Sequence, residues 1–135
     1  MRRLRVLLTT VVSVSLLLAA CQNDKGDPKQ ISRDFITSLW SGDTERVAAL
    51  ACKDEGWRAA MLQQAEQADP TVAIDAGHLV FEISAENDSQ VEVMVTGTVT
   101  FKSADGQVLV RDLNEMGTSL FILVDESGWK VCDIR

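Results

Sequence analysis

The chain has no tyrosine, a single histidine, His78, and only two prolines among its 135 residues. Without tyrosine it lacks the phenol that often holds a developing oxyanion, and His78 is the one imidazole available as a base. Neither a phosphate-binding glycine loop nor a nucleophile elbow occurs, which removes the two commonest short signatures of phosphoryl and acyl transfer. Three cysteines scattered across the chain, with one distant histidine, give no ligand cluster at zinc spacing, and no cofactor motif appears. Positive charge is also scarce. Thirteen basic residues face twenty acidic ones, for a net charge of −7, a balance that disfavours nucleic acid and anionic surfaces as partners. The acidic residues are dispersed, as on an ordinary solvated surface. Finally, no apolar run is long enough to cross a bilayer. The longest, Val6–Ala20, is 15 residues interrupted by Thr9, Thr10, Ser13 and Ser15, whereas a span of the hydrocarbon core takes about 20.

What that run does have is context. Arg2, Arg3 and Arg5 precede it, and Leu18-Ala19-Ala20 stands directly before Cys21. A cationic start, a short apolar stretch and small residues at its end form the layout of a secretory signal. Placing a cysteine immediately after them resembles the lipobox of a bacterial lipoprotein. The resemblance implies cleavage after residue 20, acylation of Cys21 and, with two or more buried chains, stable anchoring to a membrane on the extracytoplasmic side, the outer membrane where an organism has one. Gln22 lacks the aspartate that resembles an inner-membrane retention signal. Residues 1–20 are thus read as the signal, 21–27 as lipidated cysteine and tether, and 28–135 as one domain. Loss of the leader removes three arginines and leaves ten basic against twenty acidic residues, a net charge of −10.

With Cys21 given to lipid, Cys52 and Cys132 remain as an even pair in a setting that permits disulfides. They are expected to be bonded; the alternative is two buried thiols. Along the domain, Asp27-Pro28 predicts a helix start, with aspartate as N-cap and proline in the first turn. Ile31, Phe35 and Leu39 follow on one face, with Ile36 and Trp40 beside it, and Gly42 ends the helix. A second short helix from Asp43 or Thr44 carries Val47 and Leu50 inward and delivers Cys52. A third, from about Asp54 to Ala68, holds Trp57, Met61 and Ala65 at the same spacing and stops before Pro70. Beyond Pro70 the period changes from helical to strand. Leu79, Phe81 and Ile83 alternate with polar residues, as do Val91, Val93, Val95, Val99 and Phe101 after an Asn87-Asp88-Ser89 turn. Asp105-Gly106 marks a hairpin before Gln107–Arg111, the path of 111–117 stays open, and Thr118–Val124 and Trp129–Ile134 flank a Glu126-Ser127-Gly128 turn. Helices followed by an antiparallel meander predict an α+β fold.

An N-terminal helical pair joined at Ser41-Gly42-Asp43, a run of antiparallel strands, and the closing Gly128-Trp129-Lys130-Val131-Cys132-Asp133-Ile134 together resemble small exported lipoproteins of the nuclear-transport-factor-2-like (cystatin-like) superfamily. The resemblance covers Pro28 to Arg135. It implies helices packed on a curved antiparallel sheet, with Cys52 and Cys132 meeting to staple helix to sheet, and a cone-shaped cavity lined by Phe35, Trp40, Trp57, Met61 and Val93. Some members of that superfamily are isomerases or dehydratases that use an Asp or His base, so Asp75, Asp112, Asp133 and His78 are the residues an enzyme would draw on. Strand carboxylates are more often simply solvated, and His78 stands just before a strand as a solvated or capping residue. The reading is a non-catalytic docking module, its partner an envelope protein or a second copy. A carrier of a small apolar ligand is the alternative. For docking, Thr96, Thr98 and Thr100 beside Glu92 and Met94 offer a flat polar sheet face.

Overall fold

The structure is a computed structural model that describes residues 25–135; the leader, Cys21 and Gln22 lie outside them. Three helices, α1 (Pro28–Ser41), α2 (Thr44–Leu50) and α3 (Glu55–Glu66), precede seven strands, so the α+β class holds. Each helix begins where a carboxylate can satisfy orphan amides. Asp27, Asp43 and Asp54 accept from the backbone N–H groups of Lys29, Arg46 and Trp57 at 2.9, 3.0 and 2.9 Å. Gly42, at φ 80°, turns the chain out of α1, a left-handed conformation that costs glycine little. Among the described residues, no helix is long and apolar enough to cross a membrane.

The strands are β1 (Ala73–Asp75), β2 (Val80–Glu86), β3 (Gln90–Thr96), β4 (Thr98–Lys102), β5 (Val108–Asp112), β6 (Leu120–Asp125) and β7 (Trp129–Ile134). They do not form the single sheet expected. One antiparallel sheet has the order β2-β3-β6-β7 and another the order β1-β4-β5. The β4–β5 hairpin is therefore an insertion between β3 and β6, and β1 pairs with it rather than with its neighbour in sequence.

The cause of the division lies at Gly97. Val91, Val93, Val95, Val99 and Phe101 keep one period-two alternation across it, which reads as one long strand. Position 97 would be inward-facing, but a Cβ there would stand 2.3 Å from the carbonyl oxygen of His78, and the residue sits at φ +105°. Only a residue without a side chain fits both constraints. The chain turns there and leaves the four-stranded sheet for the other.

The core lies between the helices and the inward row of the larger sheet. Phe35, Ile36, Leu39, Val47, Leu50 and Ala65 meet Phe81, Val91, Val93, Val95, Phe121, Leu123 and Val131, all buried. Leu113, just past β5 in the stretch whose path the sequence left open, is fully buried, and its backbone N–H donates to Gly97 O at 3.1 Å. Ile83 shares the face of Val93, yet it is exposed on the edge strand next to a register shift at Ile83/Ala85. Among the described residues no buried side-chain polar atom lacks a partner.

Candidate functional site

Cys52 ends the α2 segment and Cys132 lies in β7; their sulfurs are bonded across a sequence separation of 80, with Cα atoms 5.2 Å apart. The staple is seated in a backbone seam. Cys52 N–H donates to Val131 O at 2.9 Å, and Ala51 bridges Val131 in parallel. Trp57 Nε1–H reaches the same carbonyl at 2.9 Å, while Lys130 Nζ donates to Ala49 O at 2.7 Å. The Glu126 carboxylate stands within 4.8 Å of both sulfurs, a set that could recruit a metal only if the cysteines were free thiolates. Here the sulfurs are spent on each other and Glu126 accepts from the Lys53 backbone N–H at 3.0 Å.

The five residues expected around a cavity do not share one. Phe35 and Val93 are fully buried in the core, and Phe35 stacks on Trp57 at 6.4 Å between centroids. Trp40, Trp57 and Met61 do line a common cleft, with Gln64, Met116 and Thr118, of only about 240 Å³. That is smaller than most ligand pockets. The interior is filled because inward residues on both layers are large and branched, and close-packed side chains leave no voids of ligand size. Trp40 is further occupied by an edge-on contact with Phe101 at 5.4 Å.

A larger groove of about 490 Å³ lies where the two sheets part at Gly97, bordered by the apolar side chains of Met94 and Leu120 and by Thr96, Asp112, Asn114 and Ser119. Asp112, one of the sequence-nominated carboxylates, thus borders this groove. Its Oδ1 accepts from Asn114 N–H at 2.8 Å, closing a local turn. Asp75 does the same for Gly77 at 2.9 Å, and Asp133 pairs with Arg135 Nε at 2.7 Å. Each carboxylate is engaged by a residue two positions along the chain. The exposed His78 matters through its carbonyl oxygen, against which Gly97 packs.

The face expected to be flat and polar is neither. Glu92, Met94 and Thr96 belong to β3, whereas Thr98 and Thr100 belong to β4 in the other sheet. Val108 and Val110 of β5 extend the Thr98–Thr100 face and Leu109 points to the opposite one beside Phe101; they are 58%, 56% and 49% exposed, on a strand that is a sheet edge among the described residues. Reasoning from sequence missed them. Three consecutive apolar residues ordinarily mark a strand covered on both faces, and that mismatch between pattern and exposure is the signal they carry.

At the other end of the larger sheet, Lys25 is docked although the sequence reads it as tether. Its Nζ lies 3.3 Å from Asp125 and donates to Asp88 O at 2.7 Å. The ammonium also sits 5.0 Å from the Trp129 ring centroid, while Trp129 N–H donates to Lys25 O at 2.9 Å. The Gly128 amide bond to Asp125, and after it Lys25, hold the Asp125 carboxyl below its ordinary value of 3.8. A carboxylate favoured by the fold contributes stability above its unfolded pKa and loses it as pH falls through the folded value. The Trp129 indole resonance is accordingly expected to shift as pH drops below about 4, with the step absent in Asp125→Asn; identical titrations of the two chains would refute the clamp.

No family model matches the chain, and no curated protein matches it.

Proposed function

We propose that the protein is a lipid-anchored, extracytoplasmic docking module of the cell envelope, non-catalytic and of nuclear-transport-factor-2-like architecture. The observation that carries this reading is the contrast between a filled helix–sheet interior and an apolar strand, β5, left half-exposed at a sheet edge among the described residues. Water-exposed apolar surface of this kind is costly in a monomer and marks a contact site. Orientation supports it too. With Cys21 in the bilayer, the four residues to Lys25 reach about 14 Å at most, so the Lys25 clamp holds that end of the domain near the lipid. Gln90, Asp125 and Trp129 belong to this end, whereas Thr96, Leu120 and Ile134 lie at the opposite strand ends. The groove and the β4–β5 hairpin follow from Thr96, away from the membrane, where another protein has access.

Anchoring is tested by Cys21→Ala. The variant is expected to leave the membrane fraction and lose incorporation of a palmitate label; a variant that stays membrane-bound and acylated sinks the lipid-anchor reading. The groove at Met94 and Leu120 favours one second reading, a carrier of a small ligand with an apolar body. Native mass spectrometry separates the two, since a co-purified small molecule selects the carrier.

A further inference from the structure

Resting on the docking reading, we infer that the partner seated on β5 is β5 of a second copy of this chain, paired antiparallel about a two-fold axis through Val110. An edge strand presents unpaired backbone N–H and C=O groups, and antiparallel pairing of identical strands about a two-fold satisfies both copies in the same way. The register follows from symmetry. Val110 opposes Val110, Leu109 opposes Arg111, and Val108 opposes Asp112.

Charge fits this arrangement. The mature chain carries −10, which opposes self-association over most of its surface. Residues 98–112 carry no net charge, because Lys102 and Arg111 balance Asp105 and Asp112. Within each copy Lys102 is the β4 neighbour of Val108, and Phe101 is the neighbour of Leu109. The two-fold therefore brings Asp112 of the second copy alongside Val108 with Lys102 on the next strand, and Arg111 alongside Leu109 with Phe101 beyond it. Each copy contributes the acid to one such pair and the base to the other. Pairing also sets Val110 against Val110 and covers the flanks of Val108 and Leu109 with the second copy's Asp112 and Arg111, which gives a role to an apolar run on a strand that is an edge among the described residues.

Size sets the regime. β5 is five residues long, so the contact falls well short of the roughly 800 Å² per partner of a stable complex. The dimer is weak in dilute solution and is populated where anchoring confines both copies to one surface at high effective concentration.

The test uses the full-length chain in its membrane, treated with a mild oxidant. Because directly opposed residues meet disulfide geometry, Val110→Cys is expected to yield at least about tenfold more covalent dimer than Val108→Cys, whose symmetry mate is displaced along the strand. A product of twice the chain mass from Val110→Cys alone supports the pairing. Equal yields from both variants reflect random collision and overturn it. Linkage to a different protein overturns the second copy as occupant and leaves the docking reading standing, whereas no linkage to anything overturns both.

Discussion

Gly97→Ala is expected to lower the melting temperature by about 15 °C or more. Two costs add. Residue 97 sits at φ +105°, where an alanine is strained by about 1–3 kcal/mol, and its Cβ would meet the His78 carbonyl at 2.3 Å, a backbone atom that cannot swing aside. Relief by displacement is blocked on the other side, because Gly97 O accepts from Leu113 N–H at 3.1 Å and Leu113 is fully buried. A combined loss of about 3–4 kcal/mol is a large share of ordinary domain stability, and each kcal/mol moves the midpoint of a domain this size by about 4–8 °C. Thermal unfolding followed by circular dichroism measures it. A midpoint within two or three degrees, about the effect of a neutral surface change, would show that the two sheets tolerate a side chain at their junction.

Removing the disulfide is the second large effect. In the chain-entropy account, closing a loop across a separation of 80 residues stabilises by about 4.5 kcal/mol. Cys132→Ser is the better variant, since Cys132 is half-buried whereas Cys52 is almost wholly enclosed, where a hydroxyl would be left without a partner. The fold itself is expected to survive at room temperature, because α2 and α3 remain joined to β7 through Cys52 N–H, Trp57 Nε1–H and Lys130. Wild type melted in reductant should match Cys132→Ser melted without it. Equal midpoints for oxidised and reduced wild type would remove the disulfide from the account of stability.

The sequence by itself determined what neighbours a few residues apart decide. Asp27, Asp43 and Asp54 start helices and Gly42 stops one, because a carboxylate reaches only amides two or three residues on and a left-handed turn needs only its own residue. Asn87-Asp88-Ser89 and Glu126-Ser127-Gly128 turn for the same local reasons, and alternation shows which strand residues point inward. The even cysteine pair was legible because parity pointed to it without geometry once Cys21 was set apart. Tertiary structure decided the rest. Period-two alternation runs unbroken through Gly97, so nothing local announces that His78 O occupies the space beside it, although an isolated glycine in a strand is the one hint of close backbone approach. Nor does a local pattern say that β1 pairs with β4, that Leu113 is buried, that Lys25 docks on Trp129, or that Phe35 and Val93 fill the interior rather than line a cavity. Those outcomes depend on which distant surfaces meet and how completely their volumes interlock, quantities that exist only once the chain has folded.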